Sequence, residues 1–198
     1  GYHRSALPTN EVLEMNVRAL GQFMEIMEQP RAVKQHAWRL APAIHAAWFD
    51  LADQENAYKV GFHELPAEGK GDNFAAAVRI PVILGLVGLQ LVDGQDKQPS
   101  LPADVVTAIL ENHMELLAEE EHKGWMEIKF ANGWKWAPVP KDKAERKDQR
   151  DHGLHHCLIP YADLPEADKV LDRTSIRNYP KVAELAGFKI VARRPMVP

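Results

Sequence analysis

The chain has 198 residues, of which 45% are hydrophobic and 26% are charged, and its formal net charge at pH 7 is −4. This composition is typical of a globular protein with one large or two small domains. The negative charge gives no overall attraction to nucleic acid or to an anionic membrane, so we predict neither as a partner. The single cysteine, Cys157, excludes an intramolecular disulfide and favours a reducing compartment.

The start of the sequence and its most apolar run also bear on where the protein is located. The first residues lack the basic start and apolar core of a signal peptide. The most apolar run, residues 80–92, is shorter than the roughly 20 residues that a membrane-spanning helix needs. We therefore predict a cytoplasmic protein without a membrane segment.

The first fifty residues are predicted to form helices. Val17, Leu20 and Met24 recur at spacings of three and four, which predicts a helix over about residues 10–28. A second helix follows, and Pro42 is expected to kink or split it, because proline lacks the N–H that a helical hydrogen bond needs.

The middle of the chain is predicted to be less regular. Residues 53–72 contain several glycines among polar side chains, so we expect a loop there. A helix follows and ends at Gly88, and the alternating apolar residues 89–92 predict a short strand. Residues 93–100 have the composition of a linker.

The second half is predicted to contain two helices, a charged loop and a second strand. One long helix is expected over about residues 101–131, and the last helix over about residues 173–186. Residues 137–155 are rich in charges of both signs, which favours a mobile loop. Gly187 ends the last helix, and residues 188–191 are predicted to form a strand.

Two features of the first half recur in the second half. A histidine precedes a tryptophan by three positions at His45 and Trp48, and again at His122 and Trp125. Residues three apart lie on one face of a helix. Because the pair occurs twice, we predict a structural role for it in each half; the alternative is that His122 and Trp125 form the wall of a pocket. Gly88 and Gly187 also correspond, since each leads into a short apolar strand, and we predict a structural role for both glycines.

Three of the five tryptophans lie close together at Trp125, Trp134 and Trp136. Such a cluster is typical of a packed nucleus or of a recognition surface. Trp134 and Trp136 are two apart, so in an extended segment they point to the same side. One reading is that one of them anchors the core while the other lines a groove. The alternative is that both only pack the loop onto the long helix.

The stretch from His122 to Tyr161 resembles the RyR domain, the repeat named after the ryanodine receptor calcium channels. The family pattern is His-x-x-Trp, a Lys, Gly-Trp-x-Tyr-Gly, a charged loop, His-Pro-x-Leu-Val-Pro-Tyr/Phe, Leu-x-x-x-x-Lys and a closing helix that ends in Gly. The resemblance covers about residues 117–192. The matching residues are His122, Trp125, Lys129, Gly133, Trp134, His155, Leu158, Pro160, Tyr161, Leu164, Lys169, Arg173 and Gly187. Trp136, Ala137 and His156 depart from the pattern, where the family has Tyr, Gly and Pro.

The resemblance implies a mostly α fold with short β strands (α+β), built as a tandem pseudo-two-fold pair of RyR-like repeats plus an N-terminal helix. We predict an N-terminal helical segment at residues 1–34, a degenerate repeat at 35–93 and a well-formed repeat at 94–198. The two repeats are expected to form one structural unit, with their strands paired near the axis. The first repeat is expected to lack the Gly-Trp turn, the charged loop and the segment equivalent to residues 158–161.

The resemblance also implies a non-enzymatic sensor or recognition module that binds a small ligand, with nucleotide-derived compounds as the leading class. The candidate ligand-binding residues are Trp134, Trp136, Pro160, Tyr161, Lys129, His155, Lys169 and Arg173. The alternative is a protein-interaction module, with residues 138–155 or the N-terminal helix as its surface and a partner protein or effector domain as its target. We predict no cofactor and no catalytic set, because no nucleophile with its base and orienting group emerges from the chain.

The group His152, His155, His156 and Cys157 contains residue types that bind zinc. Adjacent side chains do not easily reach one tetrahedral ion, so we predict no metal site. Cys157 is expected to be a buried structural thiol, because no helix N-terminus is evident that would lower its pKa.

Overall fold

The computed structural model describes residues 10–52, 56 and 58–194, with the side chains of residues 10–16 left out. The helices are α1 (Asn10–Met27), α2 (Arg31–Phe49), α3 (Ala67–Gly85), α4 (Ala103–Asn112), α5 (Met114–Ala131), α6 (Lys143–Asp151), α7 (Glu166–Arg177) and α8 (Tyr179–Leu185). The strands are β1 (Leu89–Asp93), β2 (Lys135–Trp136), β3 (Leu154–His155) and β4 (Phe188–Ala192). Short 3-10 helices lie at Phe62–Glu64 and Tyr161–Asp163. The predicted class, mostly α with short β strands, is confirmed.

Strands β1 and β4 pair in antiparallel register, which confirms that the two predicted strands meet. Leu91 lies opposite Ile190 at the centre of the ladder. The ladder continues symmetrically at both ends, because Gly94 N–H donates to Gly187 O at 2.9 Å and Arg193 N–H donates to Gly88 O at 2.8 Å. Gly88 and Gly187 have positive φ angles, +73° and +79°, where an L side chain is strained.

His45 in the first half and His122 in the second half have the same two kinds of neighbour, a backbone carbonyl and a tryptophan ring. His45 Nε2 lies 2.6 Å from Val60 O, and His122 Nε2 lies 2.7 Å from Ile159 O. In both halves the histidine ring stacks on the tryptophan three positions later, with ring centroids 5.4 Å apart in the first half and 5.5 Å in the second. Residues 60–66 and 159–165 each contain a 3-10 helix that is followed by Leu-Pro. An α-helix begins directly after each of these segments, α3 after the first and α7 after the second.

Two expectations for the first half are therefore wrong. It contains a segment equivalent to residues 158–161, at Val60 to Phe62, and residues 53–72 are not one polar loop, since α3 begins at Ala67. The sequence signal was weak because Gly61 stands where the second half has Pro160. The division into residues 1–34, 35–93 and 94–198 stays a prediction.

Three other helix boundaries differ from the prediction. Helix α2 runs through Pro42 without splitting, because alanine and leucine side chains around it are buried in the core. The long helix expected over residues 101–131 is divided at His113, whose φ of −119° and ψ of 18° are not helical. The last helix is two helices, α7 and α8, which meet at Asn178.

The charged segment 137–155 was predicted to be a loop, but it contains α6. Asp142 caps this helix, since its carboxylate accepts from Glu145 N–H at 2.8 Å, and the Glu145 carboxylate accepts from Lys141 N–H at 2.8 Å. The Asp142 side chain thereby satisfies one of the N–H groups that a helix N-terminus leaves free, and the Glu145 side chain holds the residue that precedes the cap. The Asp-x-x-Glu spacing of a helix cap is present in the sequence, but it lies within a run of alternating charges that is also typical of a loop.

The N-terminal helix belongs to the same structural unit. Helix α1 packs on α3 through buried Ala19 and Ile26. Arg18 is also buried, and its Nε donates to Glu68 Oε1 at 3.3 Å. Among the described helices, none has the length and apolar character needed to cross a bilayer.

Leu116 and Leu117 are neighbours on α5 with opposite environments, so they provide a matched test of the core. Leu117 is fully buried, whereas Leu116 is 50% exposed. We expect Leu117→Ala to lower the free energy of unfolding by about 2–5 kcal/mol, through lost burial and a residual cavity. Leu116→Ala is expected to change it by less than about 0.5 kcal/mol. Urea denaturation measures both, and equal effects would show that α5 does not face the core as described.

Candidate functional site

A cavity of about 280 Å³ lies where α3 of the first half meets α5, α6 and β3 of the second half. We call it the polar pocket. Its aromatic lining consists of Tyr58, Trp125, Trp134, His155 and His156. Its charged lining consists of Glu68, Asp72, Lys129, Arg146 and Arg150. Three other cavities, of about 420, 510 and 550 Å³, are larger. Those of 420 and 550 Å³ have mainly apolar walls, whereas that of 510 Å³ is a more open groove beside Glu115 and Arg173.

Lys129 and Trp134 form the floor of the polar pocket. Lys129 is only 5% exposed, and its ammonium lies 2.8 Å from Asp72 Oδ1 and 4.3 Å from the centre of the Trp134 ring. The Arg18 guanidinium lies 5.1 Å from the same ring. Cations are attracted to the face of an indole ring. Trp134 therefore holds two cations of the protein itself, which leaves Trp125 as the tryptophan better placed to meet a ligand.

Helix α6 supplies the basic rim of the polar pocket. Arg146 and Arg150 are four positions apart and so lie on one face of this helix. Arg150 lies 5.3 Å above the Tyr58 ring. The helix is fixed in place from both sides, because Gln149 Nε2 donates to Pro138 O at 2.8 Å and Arg18 Nη2 donates to the carbonyl oxygens at the end of α6.

His155 reports the electrostatic character of the pocket. Burial lowers the pKa of His155 to about 4, and the nearby His156 and Lys129 add to the shift. The imidazole is therefore neutral at pH 7. Burial also raises the pKa of Glu68, although the adjacent Arg18 opposes that shift. The pocket thus combines a neutral imidazole with three lining cations and two lining carboxylates.

The eight predicted ligand-binding residues fall into separate groups. Lys129, Trp134 and His155 line the polar pocket. Trp136 does not, and it is 54% exposed. It was grouped with Trp134 because an extended segment was expected there, but Trp134 precedes the short strand β2 and packs inward. Pro160 is exposed and is also absent from the lining.

Tyr161, Lys169 and Arg173 belong to a different cluster. Tyr161 Oη donates to Glu115 Oε2 at 2.9 Å, and Arg173 donates to Glu115 at 2.7 Å and to Glu166 at 2.9 Å. These bonds with Arg173 and Tyr161 lower the pKa of Glu115. Lys169 lies 5.3 Å above the Tyr161 ring. The cluster joins α5 to α7 with its charges already paired and lies apart from the polar pocket, and a ligand-binding role for these three residues stays a prediction.

Sequence reasoning missed most of the polar pocket, since only Lys129, Trp134 and His155 of its lining were among the predicted ligand-binding residues. Arg146 and Arg150 carried a usable signal, since they lie one turn apart after the Asp142 cap. Glu68 and Asp72 carried none, because they come from the other half of the chain and reach Lys129 only in the folded protein.

His122 and His45 are buried, but their surroundings differ. His122 Nε2 faces Ile159 O at 2.7 Å, and its Nδ1 lies 3.3 Å from Asp172 Oδ2. Both partners are acceptors, so both ring nitrogens donate only when the imidazole is protonated. Burial by itself lowers the pKa of His122, but the bonds to Asp172 and Ile159 outweigh it and raise the pKa. His45 has Val60 O as its partner, and Asn73 stands at the sequence position that corresponds to Asp172.

The group at residues 155–157 has a geometry that spacing did not predict. The possible ligand atoms of His155, His156 and Cys157 lie within 4.8 Å of one another. Burial raises the pKa of Cys157 to about 12, with Asp168 adding to the shift, so the side chain is a thiol at pH 7. It is therefore a poor nucleophile in this state.

The fold and the polar pocket define a mostly helical protein with two similar halves and a recessed site between them. Residues 101–192, in the second half of the chain, match the family model of the RyR domain. The matched segment begins before residue 117, where the resemblance was expected to start, and it includes α4. No curated protein matches the chain.

The raised pKa of His122 predicts how stability depends on pH. A raised pKa in the folded state stabilises the fold below the pKa of the unfolded state, about 6.5, and this contribution is lost as pH rises through the folded pKa. We expect His122→Gln to lower the free energy of unfolding by about 1–3 kcal/mol at pH 6, and by less at pH 9. Urea denaturation at the two pH values measures this difference.

His45→Gln is the matched control for that measurement. It removes the corresponding bond to Val60 O without removing an ion pair, so its cost is expected to vary less between pH 6 and pH 9. Equal pH dependence of the two variants would show that Asp172 does not hold the proton on His122.

Proposed function

We propose that this protein is a non-enzymatic recognition module whose polar pocket binds a small anionic ligand that carries a flat ring. Nucleotides and their derivatives are the leading class of such ligands. The observation that carries the proposal is the polar pocket itself, where Trp125, Lys129 and His155 converge beneath Arg146 and Arg150. Ligand sites are typically recessed, with aromatic walls and a few well-placed polar groups.

The charges favour an anion. Lys129 is paired with Asp72, whereas the guanidinium of Arg146 is exposed at the rim, at one end of the pocket. Burial is the main cause of the lowered pKa of His155, and Lys129 and Arg146 lie near enough to add to it, so two cations stand close to this side of the pocket. Guanidinium groups bind phosphate and carboxylate oxygens through paired N–H donors. These side chains support a ligand whose anionic group lies at the rim and whose ring lies near Trp125.

The pocket chemistry favours binding over catalysis. His155 is held neutral, and it accepts the Cys157 N–H at 3.0 Å through Nδ1. The Cys157 thiol has a raised pKa. Among the residues described in the pocket, no nucleophile lies beside a base and an orienting group in the way that covalent catalysis requires.

Arg146 and Lys147 provide a matched test, since both are exposed cations on α6 and only Arg146 lines the pocket. ATP, ADP and ADP-ribose serve as probes in a thermal-shift screen of the full chain. A probe at about 100 times its Kd adds about 2.7 kcal/mol, which raises Tm by about 5–10 °C for a chain of this size. We expect Arg146→Ala to weaken binding about tenfold or more, through loss of a charge-assisted hydrogen bond.

Lys147→Ala is expected to leave the Kd within about twofold, because an exposed charge outside the site contributes little. Isothermal titration calorimetry measures both variants. Equal weakening would mean that only net charge matters, and no binding by the wild-type chain to any of the three probes would contradict the proposed nucleotide class.

A second candidate function is protein interaction through α1. Val17, Leu20, Met24 and Met27 are all exposed and follow the three- and four-residue spacing of a coiled-coil seam. The apolar cavity of about 550 Å³ lies directly beside this face, with Leu20 and other apolar side chains in its wall. An exposed apolar surface of this kind is typical of an interaction site, and the spacing fits a helix as partner.

A second copy of the chain is the partner to test first, since its α1 carries the same seam. Light scattering after size exclusion, across a hundredfold range of protein concentration, is expected to show a dimer that Leu20→Glu abolishes. Val82→Glu is the control, because Val82 is also exposed and lies on α3 away from the seam. A wild-type chain that stays monomeric throughout the range would rule out pairing between copies.

A further inference from the structure

Three consecutive residues form a compact group of metal-binding side chains at the turn that follows β3. The possible ligand atoms of His155, His156 and Cys157 all lie within 4.8 Å of one another. The rings of the two histidines stack nearly in parallel, with centroids 5.0 Å apart and an angle of 10° between their planes. The turn thus brings adjacent side chains to the same side, contrary to the expectation that neighbours in the sequence do not easily reach one ion.

A fourth donor reaches this group from α7. Asp168 Oδ1 lies 3.7 Å from His156 Nε2, and its carboxylate also accepts a hydrogen bond from the Cys157 thiol. Asp168 is partly buried at this position. One carboxylate therefore lies beside two of the three side chains, so it is placed to complete the donor set of the turn once the side chains close around an ion.

We propose that His155, His156, Cys157 and Asp168 bind one zinc ion or a chemically similar divalent transition metal. Two nitrogens, one sulfur and one oxygen are a donor set that zinc accepts in tetrahedral coordination. Bonds of about 2.0–2.3 Å place the donors of a tetrahedral ion about 3.3–3.8 Å apart. The donor atoms of the three turn residues need to move together by only about 1 Å, within the range of small rotations of the side chains.

The chemistry of the group is compatible with such an ion. His155 binds the ion through Nδ1, which exchanges its hydrogen bond from the Cys157 N–H for the metal, while Nε2 keeps the proton. The Cys157 thiol loses its proton when it coordinates, so one proton is released for each ion bound. The thiolate and the Asp168 carboxylate together balance the two positive charges of the ion. This balance matters because Lys129 and Arg146 lie close enough to affect His155.

This inference does not rest on the proposed ligand binding. His155 and His156 line the polar pocket, so an ion here would lie in its wall, but metal binding is measurable with no other ligand present. Failure of metal binding would leave the nucleotide test unchanged, and failure of the nucleotide test would leave metal binding unchanged.

Titration of the metal-free full chain with Co²⁺ is the experiment that tests the inference. Cobalt occupies zinc sites and gives a thiolate-to-metal charge-transfer band in the near ultraviolet. Because Cys157 is the sole cysteine, this band in the wild-type protein identifies its ligand directly. We expect the band to saturate at one equivalent, to appear with release of one proton, and to disappear when Zn²⁺ is added.

Variants identify the other ligands. His156→Gln and Asp168→Asn are each expected to weaken Zn²⁺ binding by about tenfold or more, in competition with a chromophoric chelator. Cys157→Ser should lose the charge-transfer band, and His63→Gln should bind like the wild type, because His63 is exposed at a distant 3-10 helix. Circular dichroism checks that each variant is folded.

Two results would overturn the inference. The first is wild-type protein that shows no charge-transfer band at saturating Co²⁺. The second is folded His156→Gln and Asp168→Asn proteins that bind Zn²⁺ as tightly as the wild type does, which would place the ion elsewhere.

Discussion

The antiparallel pairing of β1 with β4 is the constraint on which the rest of the structure depends. It sets Leu91 opposite Ile190 and closes symmetrically at Gly88 and Gly187. With the two halves locked in this register, α3 of the first half packs against α5 of the second. The polar pocket forms along that contact and takes side chains from both halves. None of its lining residues lies on β1 or β4, yet the pocket depends on the pairing of these two strands.

Two ion pairs then give the contact between α3 and α5 its geometry. Arg79 donates to Glu121 at 2.8 and 3.1 Å, and Lys129 donates to Asp72 at 2.8 Å. The Arg79–Glu121 pair is largely buried and contributes little net stability, because its charges must leave water, but losing one partner strands the other and costs about 3–5 kcal/mol. The Lys129–Asp72 pair is only half-buried, since the Asp72 side chain is 41% exposed. The two pairs act as alignment points. A third pair, formed by Arg18 of α1, extends the same arrangement to the N-terminal helix.

Helix α1 links the two candidate surfaces of the molecule. Its buried side carries Arg18, which contacts Trp134 in the pocket floor and the carbonyl end of α6. Its other side exposes Val17, Leu20 and Met24. The family match covers residues 101–192 and leaves α1 outside it, so the contacts of Arg18 with the pocket are visible only in the folded protein.

The sequence by itself determined the elements whose signals are local. The apolar spacing of α1, the strands after Gly88 and Gly187, and the repeated His-Trp pair were all readable, because neighbours in the chain produce them. So was the RyR pattern, which runs from His122 to Gly187 in one half. Only the tertiary structure decided which side chains meet: Asp72 with Lys129, Asp168 with His156, and Arg18 with Trp134. Contacts between residues distant in sequence depend on how packed elements align, and no local spacing records that alignment.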